Sequence, residues 1–289
     1  GGCKRAAVDR LRGRLDRVYA GRPGAAPADR ALARTVEAFA MPRDLPEALI
    51  EGLAWDAEGR RYATLSELRA YGARVAGAVG GMMAVLLGER SEAMLARACD
   101  LGVAMQLTNI ARDVGEDARN GRVYLPLDWL EEAGIDPDRL IADPRPGPRL
   151  ADVVARLLGE AETLYLHSEA GIARLPADCR PAIYAARFLY AEIGREVARN
   201  GYDSVTRRAV VPKARKASLA GKAVRTAVLP LGRAWALAKP AQPETRYLVD
   251  AARLGESVAA GPALADKLAR VVDVWAEMEM RDRMDRSAP

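Results

Sequence analysis

Three polar side chains are spaced four residues apart near the middle of the chain, in the stretch QLTNIARDVGEDARNGRVYLP at residues 106–126. They are Asn109, Asp113 and Asp117. On an α-helix, residues four apart lie on one face, so the sequence predicts a row of one amide and two carboxylates. Like charges at this spacing repel each other unless a cation or a basic partner relieves them. Carboxylates that meet in a cavity suit Mg²⁺, which proteins commonly bind through one or two carboxylates and the phosphates of a substrate.

A solvated helix end is the ordinary explanation for two acids at this spacing. The residues before Asn109 are mostly apolar, however, which predicts a central helix. Gly102, Gln106 and Cys99 project into the same sector as the acids, so that this face is suited to lining a cavity. Arg112 lies about 60° from Asn109 around the helix and is placed to reach phosphate oxygens at the rim, although an exposed arginine is the ordinary alternative.

The elements that must position these groups are predicted to be helices. Half of the residues are hydrophobic but only 5% are aromatic, and long unbranched side chains lose little rotamer freedom on a helix. Proline and glycine mark the breaks in the helical periodicity, and the turn-rich residues 120–150 are predicted to form an ordered flap with only short helical pieces. Helices are predicted near residues 4–20, 28–41, 45–57, 65–88, 90–118, 150–174, 178–200, 213–238, 245–257 and 262–284.

Cysteine and histidine are too scarce for several kinds of site. Cys3, Cys99 and Cys179 are too few and too scattered for a disulfide framework or a thiolate metal site, which fits a reducing cytosol. A single histidine, His167, argues against a Ser-His-Asp hydrolase and a multi-histidine metal site. No export signal is visible, and the apolar run at residues 75–88 is shorter than the ~18 residues of a membrane-spanning helix. We therefore expect a protein that is soluble or lies on a membrane surface.

Basic residues are concentrated in a segment at residues 201–240. It contains nine Lys and Arg and one acid, a local net charge of +8, whereas the whole chain has a net charge of +5. A basic segment interleaved with apolar residues and Trp235 suits an anionic membrane surface, a diphosphate or nucleic acid, and a solvated helix face is the ordinary alternative. Few aromatic residues accompany it, which argues against nucleic acid. We predict contact with a membrane surface.

Three stretches of the chain together resemble the squalene and phytoene synthase family. Residues 106–126 resemble its second aspartate-rich motif, and RRYATLSELRAYGARVAGAVGGMM at residues 60–83 resembles its tyrosine-containing helix. RFLYAEIGREVARNGYDSVTRRAVVPKARK at residues 187–216 resembles the late helix and GYD turn of bacterial members. The resemblance implies an all-α, isoprenoid-synthase-type helical bundle around a central cavity. It implies one helical domain over residues 1–289, with the basic segment inside it.

The resemblance also implies roles for individual residues. Asp113 and Asp117 would be catalytic and would hold Mg²⁺, or Mn²⁺, against a diphosphate, with Asn109 as a further ligand. Tyr71 would line the reaction centre near a carbocation, and Arg112 would grip the diphosphate. Tyr124 and Tyr190 would cap the cavity, although both could equally be ordinary partly buried residues. The implied substrate-binding residues are Arg112, Gln106, Asn109, Tyr124 and Tyr190.

One motif of the family is not found in this sequence. The family carries an earlier D-x-x-x-D motif, but Asp9 and Asp16 are too far apart to form it, and Asp56 matches a later part of the pattern. We expect that the sequence begins after that motif and that the domain lacks its N-terminal helices.

The implied activity is the head-to-head condensation of two geranylgeranyl diphosphates to phytoene through prephytoene diphosphate, in carotenoid biosynthesis. The alternatives are a squalene-type or dehydrosqualene-type synthase that uses farnesyl diphosphate, a non-catalytic relative that assists assembly of a respiratory complex, and a cyclising terpene synthase. The glycines of GAVGG lie within an apolar helix and are not a dinucleotide loop, so no nicotinamide cofactor is expected. The expected location is the cytoplasm, at the inner face of the membrane.

Overall fold

The computed structural model describes residues 2–228 and 234–254, and within these residues the chain is helical and contains no strand. The α-helices are α1 Gly2–Tyr19, α2 Pro27–Phe39, α3 Asp44–Glu58, α4 Leu65–Gly72, α5 Ala78–Leu86, α6 Glu92–Arg119, α7 Leu127–Glu132, α8 Pro137–Ala142, α9 Pro148–Ile172, α10 Arg180–Arg199, α11 Lys213–Val228 and α12 Arg246–Leu254. A π-helical turn, Ala73–Gly77, joins α4 to α5, and two 3₁₀ helices, Ala234–Ala238 and Pro243–Thr245, precede α12. The predicted all-α class is confirmed.

The helix predicted at residues 213–238 is wrong in its second half. The helix α11 ends at Val228, and Ala234–Ala238 is a separate 3₁₀ helix. Pro230 follows Val228 by two residues in the sequence, and helices usually end at or before the residue preceding a proline. The helix predicted at residues 262–284 lies outside the described residues. The described residues, 2–228 and 234–254, all belong to one compact unit, 1–256. The single domain over residues 1–289 stays a prediction.

The helix α6 is the centre of the bundle, as its apolar sequence predicted. Its 28 residues span about 42 Å at a rise of about 1.5 Å per residue. It packs against α5, α9, α10 and α12, and it buries residues in every turn from Met94 to Ala118. The acids of this helix therefore belong to a core element and not to a helix on the protein surface.

The helices α5 and α6 touch through their backbones. A Cβ atom built on Gly80 would lie 2.2 Å from the carbonyl oxygen of Ala98, and one built on Gly102 would lie 2.2 Å from the carbonyl oxygen of Ala76. Real Cβ atoms do not approach an oxygen so closely, so both positions require glycine. The close contact brings the VAG segment of the π-helical turn against the central helix.

The turn-rich residues 120–150 form the short helices α7 and α8. Leu125, Trp129, Leu130 and Leu140 of this stretch are buried in the main hydrophobic core. The predicted short helical pieces are therefore present and packed. Burial of these side chains gives the stretch enough apolar contact to stay ordered without a long helix.

Residues 234–254, called here the C-terminal strap, return to the core after α11. Leu248, Val249 and Ala252 of the strap are buried, and α12 packs against α3, α5 and α6. Arg90 donates a hydrogen bond from Nη1 to the carbonyl oxygen of Ala252 at 2.6 Å. Across the described ranges, 2–228 and 234–254, none of the helices has the length and apolarity needed to span a bilayer.

Candidate functional site

The first carboxylate of the predicted row lies at a kink in α6. Asp113 departs from helical geometry with φ −105° and ψ 15°. Arg112 donates two hydrogen bonds to it, from Nε at 2.8 Å and from Nη2 at 2.5 Å, and Arg208 donates a third from Nε at 3.1 Å. Burial opposes the charge of Asp113, but the two guanidinium groups outweigh it and lower the pKa of this carboxyl below its ordinary value.

The second carboxylate has the opposite electrostatic environment. Burial, with the nearby charges of Asp113, Glu116 and Asp56, raises the pKa of Asp117 to about 7, although Arg122 partly offsets the effect. Within the described ranges the carboxylate of Asp117 has no hydrogen bond or ion pair. A half-buried acid that faces several other acids, whose charge a single arginine only partly offsets, is a position where a further positive charge would be stabilised.

Asp56 was not predicted as a site residue, yet it joins this cluster. Tyr71 donates from its hydroxyl to both oxygens of Asp56, at 3.1 and 3.0 Å, and Tyr124 donates to Oδ1 at 2.7 Å. The rings of Tyr71 and Tyr124 stack with centroids 5.3 Å apart. Burial and the charge of Asp56 raise the pKa of both tyrosines, to about 12 for Tyr124, so both hydroxyls remain protonated donors.

Sequence spacing gave no signal for this contact. Tyr71 and Tyr124 lie 15 and 68 residues from Asp56 along the chain, and the three residues come from α3, from α4 and from the loop before α7. Arg208 was also missed as a site residue, because it lies 95 residues from Asp113 in a loop after α10.

An apolar cavity of about 360 Å³ begins at Asn109, the first residue of the predicted row. This volume falls within the range of about 300–1,000 Å³ that is usual for small-molecule sites. Gln106, Asn109 and Tyr190 form its polar end. Beyond them the walls are mostly apolar, although Glu89, Arg97 and Ser168 also border the cavity. The apolar wall includes Val79, Gly80, Met83, Leu87, Met94, Ala98, Leu101, Gly102, Met105, Gly171 and Leu175.

The cavity follows α6 for most of that helix. Cavity-lining residues recur along one face from Asn109 back to Met94, a distance of about 22 Å at about 1.5 Å per residue. Asp113 lies one helical turn beyond Asn109 in the other direction, about 6 Å along the axis. The arrangement therefore suits an amphiphilic molecule with a long apolar tail in the cavity and an anionic head that a cation or a guanidinium holds beside the carboxylates.

The structure separates the predicted site residues into two groups. Gln106, Asn109 and Tyr190 border the cavity, and Nδ2 of Asn109 approaches Oε1 of Gln106 at 3.5 Å. Tyr71, Tyr124, Arg112, Asp113 and Asp117 form the polar cluster beside it. Cys99, which was expected on the same face, does not border the cavity. It is fully buried, with its sulfur against Gly81, because α5 covers that part of α6.

The donor set fits a hard divalent cation only with help from a ligand. Within residues 2–228 and 234–254, no three His, Cys, Asp or Glu side chains lie close enough together to hold a metal by themselves. Asp117 offers an unpaired carboxylate, Asp113 can join it when its guanidinium partners turn elsewhere, and Asn109 offers an amide oxygen. Mg²⁺ is usually held in this way, by one or two carboxylates together with substrate phosphates.

Comparison with known proteins agrees with the motifs. The family model for squalene/phytoene synthase matches residues 2–215. A phytoene synthase of Cereibacter sphaeroides is 54% identical over 282 residues, which cover 97% of this chain and 78% of that protein. A phytoene synthase of Rhodobacter capsulatus is 56% identical over 253 residues, which cover 86% of this chain and 74% of that protein.

Solved structures agree in fold. A crystal structure of a dehydrosqualene synthase in complex with a ligand superposes with a TM-score of 0.70, at 31% identity and 78% coverage of both chains. Squalene synthase HpnC of Alicyclobacillus acidocaldarius superposes with a TM-score of 0.64, at 26% identity, covering 68% of this chain and 74% of that one. The chain therefore belongs to the squalene/phytoene synthase family and has its isoprenoid-synthase-type helical fold.

Proposed function

We propose that this chain acts as a phytoene synthase, a prenyl-transferring enzyme that condenses two geranylgeranyl diphosphates head to head to phytoene through prephytoene diphosphate. The two relatives at 54% and 56% identity carry the name phytoene synthase, which supports this activity over squalene-type synthesis from farnesyl diphosphate. The observation in the structure that carries the proposal is the cavity, about 22 Å long, whose polar end at Asn109 lies about one helical turn from Asp113 and about two from Asp117.

Asp113 and Asp117 would hold the divalent cation, with Asn109 as a third oxygen donor. When bound, Mg²⁺ would supply positive charge to the diphosphate that leaves the allylic carbon. Arg112 now donates to Asp113, and its planar guanidinium can instead bind phosphate oxygens in bidentate fashion. The lowered pKa of Asp113 keeps this carboxylate ionised for either partner.

The remaining predicted residues would orient the substrate and exclude water. Gln106 and Tyr190 border the polar end of the cavity, where the tail of a prenyl diphosphate would enter. Tyr71, fixed in place by its bonds to Asp56, would present its ring near the developing carbocation, which water would otherwise quench. Tyr124 shares the same carboxylate and would hold Tyr71 in position.

A non-catalytic role in assembly of a respiratory complex is the second candidate. The intact row of Asn109, Asp113 and Asp117 beside a long cavity argues against it, because a binding protein needs neither. Reaction of the purified protein with geranylgeranyl diphosphate and Mg²⁺, followed by chromatography, tests the two. We expect phytoene, and we expect Asp117→Asn to lower turnover at least 100-fold. Asp138→Asn is the matched control, since it makes the same change at a side chain that is 75% exposed and lies outside the acidic cluster. A squalene-type product, or binding without turnover, would exclude the proposal.

We also propose that the basic segment places the enzyme on the inner face of the membrane. The helix α11 packs on α10 through Leu219, Ala223 and Ala227, while Val224 and Val228 are 55% and 73% exposed. Its exposed bases and apolar side chains together suit an anionic lipid surface, and the proposed product is itself apolar. The structure also qualifies the +8 balance, because Arg208 pairs with Asp113 and Arg215 pairs with Glu192.

Flotation with vesicles of anionic lipid at low salt tests this placement. We expect binding, and we expect reversal of Lys213, Lys216 and Arg225 to Glu to abolish it. The matched control reverses three exposed bases of α1: Lys4, Arg5 and Arg10. Equal flotation of the two triple variants, or no flotation of the parent protein, would refute the role of the segment.

A further inference from the structure

Arg97 crosses one wall of the cavity. Its side chain is 1% exposed and borders the cavity between Ala98 and Met94. A Cβ built on Gly171 of α9 would lie 2.7 Å from the Cβ of Arg97, so the stem of the arginine passes where a side chain of α9 would otherwise stand. Gly171 leaves the space through which the guanidinium reaches from α6 to the outer side of the wall.

On the outer side, the guanidinium holds the C-terminal strap. It donates hydrogen bonds to three carbonyl oxygens of the strap: from Nη1 to Ala236, from Nη1 to Lys239 at 3.1 Å and from Nη2 to Pro240 at 3.2 Å. These acceptors lie in a stretch where Ala236 is completely buried. The planar fork of an arginine can serve several acceptors at once, whereas a lysine ammonium is a point charge on a flexible stem.

The groups around Arg97 also hold the strap to α9. Asp100 is completely buried, with Oδ2 2.8 Å from Nε of Arg97, although their angle is not that of a hydrogen bond. Trp235 of the strap packs edge-on against His167, with ring centroids 5.7 Å apart. Lys239 lies 3.1 Å from Nε2 of His167. Burial, Lys239 and Arg97 lower the pKa of His167 to about 4, so this imidazole is neutral near pH 7 and can accept from Lys239.

The strap lies outside the part of the chain that matches the family model, which ends at residue 215. Its anchor nevertheless belongs to the cavity wall, so displacement of the strap would leave the guanidinium of Arg97 without its three carbonyl acceptors. A buried arginine released from its carbonyl acceptors must find other partners, and the nearest open space is the apolar cavity.

We propose that Arg97 is a positioning residue that fixes the C-terminal strap and, through it, the wall of the cavity that receives the prenyl tail. This inference rests on the proposed function, because it assumes that the cavity binds a prenyl chain. It predicts that loosening the anchor weakens binding of the tail and leaves binding of the diphosphate head unchanged.

The test compares Arg97→Lys with the parent protein in three measurements. Arg97→Lys keeps a positive charge opposite Asp100 but loses the fork that serves three carbonyls. Amide hydrogen exchange in residues 236–252 should accelerate at least tenfold. The KM for geranylgeranyl diphosphate should rise about tenfold with kcat within twofold, and the Kd for inorganic pyrophosphate with Mg²⁺ should stay within twofold. Loss of folded protein alone would lower kcat and leave KM unchanged.

Two further variants make the result decisive. Trp235→Ala removes the contact between the strap and His167 without leaving a buried charge, because Trp235 is half-exposed. It should raise the exchange rate and the KM as Arg97→Lys does, but by a smaller factor. Arg253→Gln removes an exposed ion pair between the strap and Glu92 and should change neither. If Arg97→Lys and Trp235→Ala match Arg253→Gln in exchange and KM, the inference is wrong. If the parent protein binds pyrophosphate but no prenyl diphosphate, the proposed function fails instead.

Discussion

Substitution of Ala98 by Phe tests whether the cavity measures the length of the prenyl tail. Ala98 lies eleven residues before Asn109 on α6, about 16 Å along the axis, and the cavity continues to Met94, about 6 Å further. One isoprene unit is about 5 Å long when its carbon–carbon bonds of about 1.5 Å are extended. A phenyl ring at residue 98 should therefore exclude about one isoprene unit from the deep end.

The size of the effect follows from the apolar surface that this unit no longer buries. Its roughly five carbon atoms contribute up to about 4 kcal/mol at about 0.8 kcal/mol per buried carbon group. The excluded unit keeps part of its contacts, so we expect a loss of about 2–4 kcal/mol for the C20 tail. This loss corresponds to roughly 30-fold to 1,000-fold weaker binding. The C15 tail should be affected less than about threefold, because it ends before residue 98.

Titration calorimetry with unreactive thio-diphosphate analogues of the two lengths measures the difference. The Ala98→Phe variant should bind the C15 analogue more tightly than the C20 analogue. When both substrates are offered, the ratio of its farnesyl-derived product to phytoene should rise. Ala182→Phe, at an exposed position of α10, is the matched control and should leave both affinities unchanged. An equal loss for both chain lengths in Ala98→Phe, with an unchanged unfolding temperature, would refute the view that the tail runs along α6 towards Met94.

Three further substitutions test individual contacts. Glu192→Gln should destabilise the protein by about 1–2 kcal/mol near pH 7, since arginines hold the pKa of Glu192 down at about 2 against burial. A depressed pKa gives stability above the ordinary value of about 4.5 that is lost as pH falls through about 2, so acid unfolding of parent and variant should converge there. Gly102→Ala should lower stability by about 1–3 kcal/mol in denaturant titration, because its Cβ would meet the Ala76 carbonyl oxygen. Tyr71→Phe keeps the ring but removes a hydrogen bond to the Asp56 carboxylate, so kcat should fall about tenfold while the free energy of unfolding falls by about 1–2 kcal/mol, which leaves the protein folded in the assay. Unchanged stability in the first two variants, or unchanged kcat in the third, would contradict the assigned contacts.

Patterns within single helices were enough to predict most of the fold. The 3.6-residue periodicity predicted α6 and the row of Asn109, Asp113 and Asp117, because both depend on one helix alone. The glycines of GAVGG were placed within an apolar helix, and in the structure Gly80 lies against the carbonyl oxygen of Ala98 on α6. The kink at Asp113 could not be predicted, since α6 contains no proline that would mark it.

The site residues that the sequence did not indicate are held by contacts between distant parts of the chain. Asp56 was judged by its place in a family pattern, and its hydroxyl partners come from two other elements. Arg208 was counted as part of the basic segment predicted to contact a membrane surface, whereas it donates to Asp113. The segment boundary after Val228 was missed because apolar residues continue past it, and helical periodicity outweighed a single proline.

The backbone contact between α5 and α6 limits how the cavity can vary. Where two main chains touch at Gly80 and Gly102, no exchange of side chains can move one helix away from the other without losing that contact. A wider cavity in this fold must therefore come from movement of the opposite walls, α9 and α10. Movement of α10 would carry α11 with it through the ion pair of Glu192 and Arg215, so a wider cavity would also tilt the surface proposed to face lipid.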